Sequence, residues 1–128
     1  MRVLLDTHLL LWAAASSARL PGEARALIED GGNDVYYSAA NIWEIAIKSS
    51  LGRKDFQVDV AALLSALPHR GLIELTVTAR HSAGVATLPP IHRDPFDRLL
   101  IAQSLAEPLT LLTNDPILGR YSSGVRVV

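Results

Sequence analysis

Short apolar runs alternate with helix-forming segments along the whole chain. Val3 to Leu5 is a β-branched and leucine-rich run that stops at Asp6-Thr7, and Leu9 to Ala15 then has the composition of a helix. This strand-then-helix step recurs, and further strands are predicted over 35–37, 72–77, 109–113 and 125–128. Apolar strands that alternate with helices favour a mostly parallel sheet with helices on both faces. The pattern therefore predicts an α/β protein.

Proline, glycine and capping residues mark where the predicted helices begin and end. A helix over 23–30 has Pro21 in its first turn and stops at Gly31-Gly32, and Ser38 fits the N-cap of a helix over 39–50. Thr78 caps a helix that runs to about residue 87, before a Leu88-Pro89-Pro90 break that no helix can cross. Two more helices are predicted over 60–67 and 95–106.

The composition fits a single folded domain. The chain has 128 residues, of which 49% are hydrophobic, and a formal net charge of -1. A chain of this length buries roughly two thirds of its unfolded surface. The length therefore predicts one domain over residues 1–128. The absence of cysteine excludes a disulfide scaffold, a thiolate nucleophile and a cysteine-based zinc or iron–sulfur site. We expect a cytoplasmic protein.

Membrane insertion and strong nonspecific DNA binding are not expected. The longest apolar run, Leu9 to Ala15, is far shorter than the ~20 residues that a membrane span needs. A signal peptide would place its apolar stretch where Asp6 and His8 stand. Counterion release from duplex DNA scales with the phosphates that a basic face neutralises, and the chain is nearly neutral. Any contact with nucleic acid is therefore expected to be local.

Four acidic residues stand at positions that an α/β fold brings to one rim. Asp6 directly follows the first strand, and Asp115 follows the strand over 109–113. Asp97 lies in the first turn of the helix before that strand, and Glu44 lies inside the helix after the second strand. Because sites in open α/β sheets lie at the carboxyl ends of the strands, these acids are expected to converge.

The aspartates also have a purely local explanation. Asp6, Asp94 and Asp115 each fit the N-cap of a following helix or turn. Asp94, with Pro95 at the first helical position and Asp97 at the third, resembles a capping arrangement. Taken one at a time, capping is the favoured interpretation of these residues.

The helix around Glu44 is apolar on most sides. Only a narrow stripe is polar, formed by Asn41, Glu44 and Lys48. Glu44 precedes Lys48 by four residues, which is the favourable order for a surface ion pair, but a helix with so little polar surface is largely buried. We expect Glu44 at the edge of a cleft, partnered by Lys48 or by a metal ion. The same apolar runs predict that Trp12 and Trp43 pack in the core.

A cluster of carboxylates offers hard oxygen ligands, which Mg²⁺ and Mn²⁺ prefer. Such a site can activate water and stabilise the attacking and leaving oxygens of a phosphodiester. The four histidines have none of the spacings of a zinc site, so ligation by them is not expected, although His92 and Arg93 could contact a phosphate. The acids therefore indicate metal-dependent phosphoryl chemistry.

Four segments in order carry a likeness to a known family: Val3 through Thr7, Ser38 through Lys48, Asp94 through Gln103, and Leu112 through Asp115. Together they resemble the PIN-domain nucleases, and most closely the VapC-type toxins of bacterial toxin–antitoxin pairs. Each segment is weak alone, but four in order are specific. The likeness covers nearly the whole chain and implies a three-layer α/β/α sandwich with a central, mostly parallel sheet.

The resemblance also implies a site and a reaction. The family's catalytic, metal-binding acids match Asp6, Glu44, Asp97 and Asp115. Asp97 matches by its distance from Ala102, so Asp94 is interpreted as the helix cap. Thr7 and Thr113 would support the acids. The implied activity is that of an Mg²⁺- or Mn²⁺-dependent endoribonuclease, a hydrolase that cleaves RNA phosphodiester bonds with a metal-activated water. The implied partners are an RNA substrate and a cognate antitoxin, and we predict a homodimer within that complex.

Two other interpretations of the same residues remain. The chain could be an aspartyl phosphotransferase with Asp6 as the nucleophile, although such enzymes usually carry a second aspartate where His8 stands. It could also be a non-catalytic α/β binding module whose acids are only helix caps. A covalent phosphoaspartate at Asp6 would support the phosphotransferase, and acidic residues that bind no metal would support the binding module.

Overall fold

A parallel five-stranded sheet forms the centre of the fold in the computed structural model, which describes residues 1–128. The strands are β1 (Arg2–Leu5), β2 (Asp34–Ser38), β3 (Ile73–Leu75), β4 (Thr110–Thr113) and β5 (Val125–Val127). They lie in the order β3-β2-β1-β4-β5, and every neighbouring pair is parallel. The predicted mostly parallel sheet is confirmed.

Six helices flank the sheet: α1 (Thr7–Ala14), α2 (Gly22–Glu29), α3 (Ala39–Ser50), α4 (Val60–Ala66), α5 (Ala79–Gly84) and α6 (Pro95–Ala106). Three short 3₁₀ turns cover Pro68–Arg70, Val85–Thr87 and Leu118–Arg120. None of the helices combines the length and the apolar character needed to cross a bilayer.

The alternation of side chains along β1 separates two buried clusters. Val3 and Leu5 belong to one cluster, with residues of α1 to α4, whereas Leu4 belongs to the other, with Leu100 and Ile101 of α6. Successive side chains of a strand point to opposite faces of its sheet. The helices therefore form two layers around the strands, and the α/β/α sandwich is confirmed.

Two predicted elements are shorter in the structure than in the sequence pattern. The strand predicted over 72–77 is limited to β3, because its only partner is β2, whose pairing ends where Ser38 meets Leu75 and α3 begins. The helix predicted to reach residue 87 ends at Gly84, and its last part is a 3₁₀ turn.

The prediction that Trp43 packs in the core is wrong. Trp43 is 60% exposed, whereas Ile45 on the same helix is fully buried. Residues four apart share one face of a helix, so Trp43 and the partly exposed Ile47 lie together on the outer side of α3. Trp43 keeps one aromatic partner, because its ring meets Phe96 edge to face at 5.0 Å. Trp12 is partly buried against the core, as predicted.

We therefore expect Trp43→Ala to destabilise the protein only slightly. The loss should be about 1 kcal/mol, the size of an aromatic pair interaction, rather than the roughly 3 to 5 kcal/mol of a buried tryptophan. Urea unfolding followed by circular dichroism measures the difference, with Ile45→Ala as the buried control on the same helix. A larger loss for Trp43→Ala than for Ile45→Ala would contradict the exposed placement.

Candidate active site

The strand order reverses direction at β1, which creates a crevice at the carboxyl edge of the sheet. The chain runs from β1 outward to β2 and β3 and then returns to β4 on the other side of β1. Crevices at such reversals are the binding sites of open α/β sheets. A small cavity of about 90 Å³ lies there, and it is lined by the four predicted acids, Asp6, Glu44, Asp97 and Asp115, together with Asp94, Thr7, His8, Lys48, Asn114 and Leu118.

Asp6 is held in place between β1 and β4. Its side chain is buried, and Oδ1 accepts a hydrogen bond from the backbone N–H of Leu9 at 2.9 Å, which caps α1. The hydroxyl of Thr113 donates to Oδ2 at 2.5 Å. Burial raises the pKa of Asp6, and the hydrogen bonds from Thr113 and Leu9 act against that rise. The capping interpretation is therefore confirmed for Asp6, and it is compatible with a place in the cavity.

Glu44 enters the cavity from α3 with both carboxylate oxygens engaged. Oε1 accepts from the Thr7 hydroxyl at 2.6 Å, and Oε2 accepts from Lys48 Nζ at 2.5 Å. The carboxylate is only 5% exposed, against 35% for the Lys48 side chain. A buried charge needs such a partner. Of the two partners that the sequence left open, the structure shows Lys48.

Asp97 projects from the first turn of α6 into a negative environment. The pKa of Asp97 is raised to about 7, mainly by burial and in addition by repulsion from the carboxylates of Asp94 and Glu44. His92 opposes the rise. The surroundings of Asp97 therefore disfavour its negative charge, and a bound cation would relieve that cost.

Asp94 has the role of a helix cap, as predicted. Its Oδ1 accepts from the backbone N–H groups of Phe96 at 2.8 Å and of Asp97 at 3.1 Å. Pro95 follows at the first helical position, where its missing N–H costs nothing. This cap turns the start of α6 so that Asp97 faces the cavity.

Thr113 connects the two acids that follow strands. Its hydroxyl donates to Asp6 and accepts from the backbone N–H of Asp115 at 3.0 Å. Asp115 in turn caps the next turn, because its Oδ1 accepts from the N–H of Ile117 at 3.0 Å. Its other oxygen, Oδ2, lies 3.3 Å from His92 Nε2. One hydroxyl at the end of β4 thus binds both the Asp6 carboxylate and the backbone of Asp115.

His92 lies among the acids, which the sequence analysis missed. Its Nε2 is 3.3 Å from Asp115 Oδ2 and 3.6 Å from Asp97 Oδ2, and ligand atoms of all three residues lie within 4.8 Å of one another. The N–H of Asp94 donates to Nδ1 at 3.0 Å, so the ring's own N–H is at Nε2 and points to the carboxylates. His92 is therefore a hydrogen-bond donor here. The only feature of the sequence that could have placed His92 near the acids is its position two residues before the Asp94 cap.

The donors in this cavity fit a hard divalent cation. Five carboxylates line it, four of them from separate parts of the fold and the fifth from the Asp94 cap, and the chain contains no cysteine. Oxygen ligands of this kind suit Mg²⁺ or Mn²⁺ better than zinc. The ligand atoms of Asp97, Asp115 and His92 lie close together, and Asp6 and Glu44 line the cavity together with Asp97 and Asp115.

An open groove adjoins the acidic cavity. It has a volume of about 800 Å³, and His8 and Lys48 line both spaces. The groove combines apolar side chains such as Trp12 and Phe56 with Arg19 and with Arg53, and Arg53 is ion-paired with Asp55 of the same groove. An extended ligand could therefore reach the acids along this surface.

Residues 3–123 match the family model of the PIN domain. The chain belongs to the PIN-domain family. This PIN domain is similar to VapBC2 from Rickettsia felis bound to a DNA fragment from its promoter, at a TM-score of 0.69 and 18% identity over 100% of this chain and 98% of that one. It is also similar to VapC20 from Mycobacterium tuberculosis, a sarcin–ricin loop cleaving toxin, at a TM-score of 0.61 and 16% identity over 92% and 93% of the two chains.

A third similar structure is FitAB bound to an IR36 DNA fragment, at a TM-score of 0.62 and 17% identity over 98% of this chain and 94% of that one. At these identities the likeness shows the PIN fold. No curated protein sequence matches the chain.

Proposed function

We propose that this PIN domain is an Mg²⁺- or Mn²⁺-dependent endoribonuclease and the toxin of a toxin–antitoxin pair. One observation carries the proposal: four carboxylates from separate elements, Asp6, Glu44, Asp97 and Asp115, line one small cavity at the carboxyl edge of the sheet. Separate elements converge there although burying like charges is costly, and a divalent cation offsets that cost. PIN-domain membership makes nucleic acid the substrate class that fits this chemistry best.

The residues in and around the cavity would have different roles in binding the cation and the phosphate. Asp6, Glu44, Asp97 and Asp115 would hold the cation, which when bound supplies Lewis-acid activation of a phosphoryl oxygen and of water. Thr113 orients Asp6 through a hydrogen bond of 2.5 Å. His92 presents its Nε2–H beside Asp115, where it can donate to a non-bridging phosphate oxygen.

The groove beside the cavity suits single-stranded RNA. Aromatic side chains stack on exposed bases, and cationic side chains follow the backbone. Trp12 and Arg19 line the groove next to His8, which also lines the acidic cavity. The chain is nearly neutral overall, so this local pairing of aromatic and cationic groups is what would guide RNA to the acids.

The toxin assignment rests on likeness over the full length of the chain. The similar structures include VapBC and FitAB complexes, and we propose that this chain likewise pairs with a cognate antitoxin, as a homodimer in the cytoplasm. The phosphotransferase alternative is disfavoured because Asp6 is only 4% exposed and both its oxygens already accept hydrogen bonds.

Removal and return of the metal tests the activity. The antitoxin-free protein is treated with EDTA, dialysed, and incubated with total bacterial RNA, which contains structured and single-stranded segments. We expect cleavage only after Mg²⁺ or Mn²⁺ is returned, and saturable Mn²⁺ binding in calorimetry. Cleavage that continues in EDTA would refute metal dependence. A folded protein that neither binds Mn²⁺ nor cleaves RNA with either metal would favour the non-catalytic module.

A further inference from the structure

A continuous line of buried hydrogen bonds leads from the start of α3 to Glu44. The N–H of Ser38 donates to Asn41 Oδ1 at 2.6 Å, Asn41 Nδ2 donates to Thr7 Oγ1 at 3.0 Å, and Thr7 Oγ1 donates to Glu44 Oε1 at 2.6 Å. Each of these four residues is 5% exposed or less. Buried polar groups of this kind depend on one another because water cannot replace a missing partner.

The direction of every hydrogen bond in this line is set by a backbone group. A backbone N–H can only donate, so the N–H of Ser38 requires the amide oxygen of Asn41 to face it. The NH₂ of Asn41 then faces Thr7 and occupies a lone pair of the hydroxyl. The single proton of that hydroxyl is therefore directed to Glu44.

The direction of the Thr7 hydrogen bond matters because the two donors that hold Glu44 differ in rigidity. Lys48, which is 35% exposed, donates to Oε2 from a long side chain that solvent reaches. Thr7, which is 5% exposed, donates to Oε1 from a β-branched side chain with few rotamers. The buried donor therefore defines the plane of the carboxylate, and the ion pair follows it.

We propose that Asn41 is a positioning residue of the metal site: it forces the Thr7 hydroxyl to donate to Glu44 and so fixes the orientation in which this carboxylate meets a divalent cation. This inference rests on the proposed function. It assigns to Asn41 a role beyond its acceptance of the Ser38 N–H at the start of α3, although Asn41 does not line the acidic cavity. Groups that orient a metal ligand typically contribute about 10- to 100-fold in metal affinity.

Asn41→Asp tests the role with almost no change of shape. One oxygen of the new carboxylate still accepts from Ser38 N–H and keeps the cap of α3. The other oxygen can only accept where the amide donated, so it competes with Glu44 for the single Thr7 proton and weakens that hydrogen bond. We expect Mn²⁺ affinity, measured by calorimetry on the folded full chain, to fall about 10- to 100-fold.

Two further variants separate the effect of losing the Thr7 hydrogen bond from the effect of the added charge and from a general loss of stability. Thr7→Val removes the donor without adding charge and should lower Mn²⁺ affinity by a similar factor. The double variant with Asn41→Asp and Thr7→Val should lose little more affinity, because both changes break the same hydrogen bond to Glu44. Gln103→Leu removes the other buried partner of the cap, the acceptor of the Ser38 hydroxyl at 2.6 Å. It should lower the melting temperature and leave Mn²⁺ affinity unchanged.

The outcomes distinguish this inference from the proposed function. Wild type that binds Mn²⁺ together with an unaltered affinity in Asn41→Asp or in Thr7→Val overturns the role of Asn41 and leaves the nuclease proposal standing. An affinity loss in Gln103→Leu as large as in Asn41→Asp also overturns it, because the effect would then be structural. Folded wild type that binds no Mn²⁺ overturns the role of Asn41, and if it also cleaves no RNA with either metal the nuclease proposal falls as well.

Discussion

Asp97→Asn is expected to stabilise the metal-free protein at neutral pH and to abolish its response to divalent cations. In the folded protein, burial and the neighbouring carboxylates raise the pKa of Asp97 from 3.8 to about 7. The folded state therefore binds more protons than the unfolded state between these pH values. Since stability falls with rising pH wherever the folded state binds more protons, the cost of ionising Asp97 is absent below about pH 4 and complete above about pH 7.

The size of the effect follows from the same shift. A rise in pKa from 3.8 to about 7 corresponds to about 4 kcal/mol, since a tenfold change in proton affinity is about 1.4 kcal/mol. An asparagine at this position carries no charge and avoids that cost. It also removes a carboxylate ligand, so the gain in stability and the loss of cation binding have one origin.

Urea unfolding in EDTA from pH 4.5 to 8, followed by the same titration with Mn²⁺, measures both effects. We expect wild type to lose stability towards pH 8 and to regain it with Mn²⁺, whereas Asp97→Asn should show a flatter pH dependence and no gain from Mn²⁺. Asp94→Asn is the matched control, because asparagine caps helices as well as aspartate does and Asp94 uses Oδ1 for that cap. If Asp94→Asn abolished the Mn²⁺ response and Asp97→Asn kept it, the assignment of the ligand would be reversed.

The strands, the helix starts and the rim of acids could be predicted because local patterns specify them. The run before Asp6 is a strand because its apolar residues fill both faces of a buried sheet, and α3 begins where the Ser38 side chain satisfies free N–H groups. Such signals are contained in a few neighbouring residues. The carboxyl-edge rule then placed Asp6 and Asp115 at one rim without any long-range information.

Contacts between distant segments could not be predicted in this way. His92 reaches the acids on a loop with no periodicity, and Thr7 meets Glu44 across 37 positions of sequence. The exposed position of Trp43 has the same cause, because an apolar run does not show which side of its helix lacks a partner. A capping role and a place in the site do not exclude each other. Asp6 caps α1 with one oxygen, accepts from Thr113 with the other, and still lines the cavity.

Asp6→Asn is expected to reduce RNA cleavage by more than the roughly 10- to 100-fold that loss of an orienting group costs. The Thr113 hydroxyl accepts from Asp115 N–H, so its proton must go to Asp6 Oδ2. An asparagine has one oxygen for the two donors, Thr113 and the N–H of Leu9, and its NH₂ must face one of them. The substitution therefore removes the charge and either breaks the capping bond or reverses the hydrogen bond with Thr113, whose hydroxyl would then accept from the new NH₂.

Thr113→Val separates these effects, because it removes the orienting hydroxyl and leaves the Asp6 carboxylate in place. We expect cleavage rates, measured with saturating Mg²⁺ on one RNA substrate, to fall in the order wild type, Thr113→Val, Asp6→Asn. Cleavage by Asp6→Asn at the wild-type rate would remove Asp6 from the site altogether. A larger loss for Thr113→Val than for Asp6→Asn would mean that the hydroxyl matters mainly through its other partner, the backbone N–H of Asp115, or through the substrate, and not through Asp6.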